Sequence, residues 1–234
     1  MPNMIFDSEP PTWQDLELMV AQAFDEMGYE SHRNEEISTV RGKVKIDVHA
    51  IKRTNPIPTH VLCECKYWNK PVDQSVIHSF RSICSDIGAH YGLIISKKGF
   101  QSGAGESRDY TNIHLLSFEE FQATFFSEWR TGIFMKFAQM SGFLRPLIPM
   151  NPYFSDDAVL QEKLRSIDTF EKYAIFLGSH GFTDYFVHRE EFPAVITDPR
   201  GDPRLLNKVT VNSHREYFGI ASQGCADARA YFGI

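Results

Sequence analysis

Val44-Lys45-Ile46-Asp47-Val48-His49-Ala50 and Val61-Leu62-Cys63-Glu64-Cys65-Lys66 are the two stretches whose reading decides the fold. In the first, apolar Val44, Ile46, Val48 and Ala50 alternate with Lys45, Asp47 and His49, the period-2 pattern of a half-buried strand. In the second, the same rule puts Val61, Cys63 and Cys65 on one face and Leu62, Glu64 and Lys66 on an open one. Between them Arg53-Thr54-Asn55-Pro56-Ile57-Pro58-Thr59 carries the prolines and Asn of a loop. The pair therefore reads as an antiparallel hairpin that brings Asp47 beside Glu64 and Lys66, close enough to share one ion.

Outward from this hairpin, the flanking elements alternate between helix and strand. Thr12 caps a helix in which Trp13, Leu16, Val20, Ala23, Phe24 and Met27 recur at helical spacing, with Asp15 completing a capping box and Gly28 ending it. A strand is expected near Glu36–Arg41, turned by Gly42 into the Asp47 strand. After the Glu64 strand, Asn69-Lys70-Pro71 breaks the chain, and 72–87 reads as a helix begun by Val72 or Asp73 and ended by Gly88. Tyr91-Gly92-Leu93-Ile94-Ile95-Ser96 is an uninterrupted apolar run, the mark of a strand covered on both faces. A short helix over 100–110, a strand over 113–117 and a helix over 118–129 follow. The fold class expected is α/β, an αβββαβ sandwich with a mixed central sheet.

The sequence texture changes near Thr131. A loose acidic tail over 1–11 and a domain over 12–130 are expected, then further helix over 134–143 and a linker ending at Pro152. An α+β region over 153–234 follows, with a helix over 157–179 and strand and turn character over 192–220. No motif marks this last region.

The totals narrow the function. The chain has 234 residues and a formal net charge of −6, which argues against a nucleic-acid coat protein. The charge is uneven: residues 1–30 hold seven acids and no Lys or Arg, whereas 31–110 hold twelve basic residues against eight acidic. Cys63, Cys65, Cys84 and Cys225 lack paired CxxC spacing, so a disulfide framework or zinc site is not expected. The amino terminus lacks the apolar core of a signal peptide, and no segment suits a membrane, so a cytoplasmic setting without membrane partners is expected.

The ordered set of motifs resembles the PD-(D/E)XK nuclease superfamily and, more narrowly, Mrr-like restriction endonucleases, over residues 12–120. The residues that carry it are Leu16-Glu17-Leu18-Met19-Val20 with Gly28-Tyr29, Gly42 through Asp47, and Glu64-Cys65-Lys66-Tyr67 with Lys70-Pro71-Val72. Gly92-Leu93-Ile94-Ile95-Ser96 with Gly99-Phe100 and Ala104 completes the set. Many Mrr-like members place Gln before Cys-Lys, where this chain has Glu64, and Ile46 replaces the Pro of the superfamily name.

The resemblance implies an Mg²⁺-dependent endodeoxyribonuclease of restriction or defence type, with Mn²⁺ as a substitute metal. Asp47, Glu64 and the backbone carbonyl of Cys65 would bind the ion. Lys66 would orient the attacking water and stabilise the transition state, and Glu17 would add the helical acid. Gln74, His78 and His49 are weaker auxiliaries. DNA would be held by Lys43, Lys45, Lys70, Arg81, Lys97 and Lys98, together with Arg41, Lys52 and Arg53, helped by a homodimer, a partner subunit or the carboxy-terminal half. Two alternatives stay open: a non-cleaving nucleic-acid or protein-binding subunit on the same fold, and a structure-selective repair or recombination nuclease.

Overall fold

The computed structural model describes residues 4–54, 56–102, 112–141, 192–196 and 209–232. The chain divides into two units, at Trp129/Arg130. In the first, helix α1 (Trp13–Glu26) leads into β1 (Glu30–Thr39), β2 (Gly42–Lys52) and β3 (Thr59–Lys66). Helix α2 (Gln74–Ile87), β4 (Tyr91–Ser96), β5 (Ile113–Ser117) and the start of α3 (Phe118–Ser141) follow.

The sheet is mixed and runs β1-β2-β3-β4-β5. The first three strands are antiparallel neighbours, and β3, β4 and β5 are parallel. Parallel pairing needs a crossover, and α2 supplies the one between β3 and β4. The expected αβββαβ architecture is the one observed.

Capping follows the residues. Thr12 Oγ1 accepts from the Asp15 N–H (3.3 Å), while Asp15 Oδ2 accepts from the Thr12 N–H (3.1 Å), a complete capping box. Asp73 caps α2 through the Val76 N–H (3.2 Å), and Gly88 ends that helix at φ 73°.

Helices bury both faces of the sheet. Leu16, Val20, Ala23 and Phe24 of α1 are buried, and Phe24 packs against Phe121 of α3, with ring centroids 5.9 Å apart. Ile77, Phe80 and Cys84 of α2 pack with Ile46, Leu62, Ile94, Ile113 and Leu115. Gly92 admits this close approach, since a Cβ there would lie 2.6 Å from Ile113 Cδ1 and 2.7 Å from Cys84 Sγ.

Several expectations need correction. Strand β1 starts six residues before Glu36 and ends at Thr39. Its polar run Ser31-His32-Arg33-Asn34-Glu35 disguised it, as suits an edge strand. The face of Leu62 is covered, not open: Leu62 is 0% exposed under α2, because a central strand here has helices on both sides. In the segment expected to be a loose tail, Ile5 and Phe6 are buried, and the Phe6 N–H donates to Gln122 Oε1 (2.9 Å). Phe100 does not begin a helix but forms a parallel bridge with Val72. The rest of the helix expected over 100–110 falls mainly outside the described residues.

In the second unit, β6 (Ala194–Ile196) pairs antiparallel with β7 (Val209–Val211), followed by α4 (His214–Phe232). Residues 214–220, expected to have strand and turn character, are helical, with Tyr217 and Phe218 buried. The helix expected over 134–143 is the last part of α3 as far as Ser141. The linker expected over 145–152 and the helix over 157–179 lie outside the described residues.

Candidate active site

The β2–β3 ladder ends at Val48↔Cys63, one step before Asp47 and Glu64. There the side chain takes over from the main chain: Asp47 Oδ2 accepts the backbone N–H of Cys65 at 2.8 Å. Strand β3 stays paired with β4 through Lys66↔Ser96, so Glu64 and Lys66 stand on a rigid strand while β2 leaves it. The Lys66 ammonium donates to Glu64 Oε1, and the two side chains are 17% and 19% exposed. The site is thus half-buried at the end of the β2–β3 pairing, and not on the open sheet face expected.

The β1–β2 ladder is interrupted at the same level. Arg33↔Val48 and Glu35↔Ile46 pair on either side of Asn34 and Asp47. Asn34 has φ 56°, a left-handed conformation that Asn tolerates better than most residues. Its Nδ2 donates to Glu17 Oε2 at 3.0 Å, fastening the helical acid of α1 to the strand pair. Glu17 is itself buried at 5% exposure.

The three acids sense one another. Burial pushes the Glu17 carboxyl up, the Asn34 hydrogen bond opposes this, and the charge of Asp47 adds to it. Burial also raises Glu64; Asp47 and Glu17 raise it further, and Lys66 offsets part of the rise. Negative charge therefore accumulates where water is partly excluded. Among the described residues no three His, Cys, Asp or Glu side chains converge as a ready-made metal cluster. Two carboxylates with a carbonyl would nonetheless supply hard oxygen ligands of the kind Mg²⁺ prefers, and the mutual repulsion of the acids favours a cation among them. The residues present fit such an ion. Cys63 and Cys65 have thiols held well above the usual range by burial, which disfavours thiolate ligation.

The basic residues expected to hold DNA fall into distinct settings. Lys97 Nζ lies 3.8 Å from the Tyr67 ring centroid and Lys70 Nζ 5.5 Å from that of Trp68, both beside the end of β3. Lys45 is exposed on β2, and its charge reaches Glu17. Lys98 is exposed after β4. Lys43 is paired with Glu36 (2.6 Å), Arg41 with Asp86 (3.2 Å) and Arg53 with Glu30 (2.7 Å), and Lys52 with Glu128. Arg81 is partly buried on α2, its Nε without a hydrogen-bond partner among the described residues. Gln74 begins α2, and His78 is exposed on it.

Sequence reasoning missed Asn34, the ring pair Tyr67–Trp68 and a row of histidines. His49 Nδ1 lies 2.6 Å from Glu35 Oε2 and its Nε2 3.0 Å from His60 Nδ1, while the His60 N–H donates to His90 Nδ1 (3.1 Å). His49 is thereby engaged within the sheet and is not a free neighbour of Asp47. The β1–β2 register sets a further histidine, His32, opposite His49.

Comparison with known proteins gives one family match over part of the chain and several weak structural likenesses. Residues 10–125 match the model of the Mrr catalytic-domain family, described as restriction endonuclease. A crystallised protein of unknown function is 16% identical, with a TM-score of 0.40, over 95% of this chain and all of its own. A repair endonuclease from Pyrococcus abyssi is 15% identical (TM-score 0.34) over 49% of this chain and 49% of its own. The DNA modification-dependent restriction endonuclease AspBHI is 13% identical (TM-score 0.32) over 54% of this chain and 40% of its own. This chain thus spans less than half of the two named endonucleases. No curated protein matches the sequence. Residues 10–125, just under half of this chain, are thus similar to the restriction endonuclease family of the Mrr catalytic domain.

Proposed function

We propose that this chain is an Mg²⁺-dependent endodeoxyribonuclease that hydrolyses DNA phosphodiester bonds in restriction or defence, with residues 12–130 as its nuclease domain. The observation that carries the reading is the Asp47–Cys65 hydrogen bond beside the Glu64–Lys66 pair, with Glu17 close enough to raise the pKa of Glu64.

Asp47, Glu64 and the Cys65 carbonyl would hold the ion, with Mn²⁺ as a substitute. When bound, it would neutralise charge on the phosphoryl oxygens and ease deprotonation of the attacking water. The chain's own groups do the rest. The Asp47–Cys65 bond fixes the carboxylate against the end of β3. Lys66, whose ammonium donates to Glu64, would also donate to the attacking water and to the phosphoryl oxygen that gains charge. Glu17, held by Asn34, would accept the proton of that water. Lys45, Lys70, Lys97 and Lys98 would neutralise flanking phosphates, giving binding that weakens with salt.

Supercoiled plasmid, methylated and unmethylated, incubated with Mg²⁺, Mn²⁺ or EDTA tests the proposal. Metal-dependent nicking or linearisation by the wild type, lost in Lys66→Ala, is expected. Undiminished cutting by Lys66→Ala, or in EDTA, would overturn it.

A further inference from the structure

Immediately beyond Lys66 the chain presents two aromatic rings surrounded by ammonium groups. Lys66 and Trp68 are two residues apart, and Lys66 Nζ lies 5.1 Å from the Trp68 ring centroid. Lys70 Nζ approaches the same ring at 5.5 Å, and Lys97 Nζ stands 3.8 Å over the Tyr67 ring. Lys97 is delivered by β4, through its N–H donating to the Lys66 carbonyl at 3.0 Å. Tyr67 is fixed at its far end, where its hydroxyl lies 3.0 Å from the Pro10 carbonyl oxygen and 2.9 Å from that of Pro11. Trp68 is 36% exposed, among the large apolar side chains left facing water.

We propose that Trp68 is a stacking platform for an unpaired base, flanked by phosphate contacts from Lys70 and Lys97, so that this endonuclease takes DNA with unpaired bases next to the bond it cuts. The inference rests on the nuclease reading and narrows its substrate. A flat ring bordered by positive charge complements a nucleotide in both parts, base on ring and phosphate on ammonium. Paired bases in a duplex are already stacked on one another and offer an outside surface of sugar and phosphate. Lysines alone would serve that surface. An exposed indole beside Lys66 gains a partner only from a base that has left the stack, and such bases are present in single strands, gaps and flaps.

The test uses the full chain in EDTA, so that binding is read without cleavage, by fluorescence anisotropy of three labelled 20-mers. These are a single strand, the same strand carrying abasic positions, and a blunt duplex. The single strand should bind more tightly than the duplex. Trp68→Ala should weaken single-strand binding about tenfold, within the range for one base–aromatic stack, and leave the abasic strand unchanged. Trp68→Phe should retain most of the affinity. Equal weakening of all three probes by Trp68→Ala, or no weakening of the single strand, would overturn the proposal. Loss of plasmid cleavage by the wild type, with Trp68-dependent single-strand binding retained, would instead remove the nuclease reading and leave the platform standing.

Discussion

The carboxylate of Asp47 accepts the backbone N–H of Cys65 at 2.8 Å, so one side chain is both the last rung between β2 and β3 and a candidate metal ligand. The two roles separate by substitution. Asp47→Asn keeps an oxygen to accept the N–H but loses the charge; Asp47→Ala loses both. Both variants should lose at least about 10²-fold in cleavage, the scale of removing one preorganised electrostatic group. Only Asp47→Ala should also lose stability, by about 1–3 kcal/mol for a half-buried N–H left without its partner. Plasmid cleavage and urea unfolding of the two proteins check this.

Glu17 and Glu64 both have carboxyls raised above 4.5 by burial, which fixes a sign for pH dependence. Between 4.5 and the raised values the native protein holds more protons than the unfolded chain. Stability from these groups is therefore present at low pH and lost as pH rises through that window. Replacing both by Gln should raise the melting temperature at pH 7 and flatten the wild-type slope between pH 4.5 and 7. Thermal denaturation across that range decides it, and a double variant melting lower at pH 7 would contradict the sign.

A bound Mg²⁺ would relieve the same repulsion in another way. Millimolar Mg²⁺ should raise the melting temperature of the wild type, because a ligand bound only by the native state stabilises it by mass action. Asp47→Asn should show little or no rise. Differential scanning fluorimetry with and without Mg²⁺ measures it independently of any substrate.

Asn34 carries two loads, a left-handed backbone and the bond to Glu17. Asn34→Gly keeps the first and loses the second, while Asn34→Ala loses both. The alanine variant should be less stable than the glycine variant by about 1 kcal/mol, the cost of a Cβ in the left-handed region. Chemical denaturation of the pair reads the difference.

Gly92 tests the packing of β4 against α2. A methyl group there meets Ile113, Cys84 and Phe80 at 2.6, 2.7 and 3.0 Å. Gly92→Ala should cost about 1–3 kcal/mol by overpacking, measured by thermal unfolding.

Much of the first unit is legible in sequence because its elements bury regular stripes. The alternation through Val44–Ala50 and the helical spacing of α1 and α2 lie where the backbone must meet a core. The first part of β1 escaped because an edge strand needs few apolar residues: its Ser31–Glu35 run is stabilised by pairing with β2. The covered face of Leu62 escaped because alternation assigns faces but says nothing of which receive a helix. The candidate acids were legible as a spacing. Asn34 was not, since its contact with Glu17 depends on one backbone conformation across seventeen residues. Trp68 and Tyr67 lie after the strand ends, where periodicity gives no direction to a side chain.

Ile5 and Phe6 lie before the first residue of the family match, yet they are buried, and Phe6 stacks near Phe118 with ring centroids 6.1 Å apart. The edge of the family match is therefore not the edge of the folding unit. A fragment trimmed to begin at residue 10 would keep every candidate catalytic group and still expose the α3 surface around Gln122 to water. Recombinant versions of the domain alone should retain these opening residues, since inactivity of a shorter fragment would report lost packing as if it were lost chemistry.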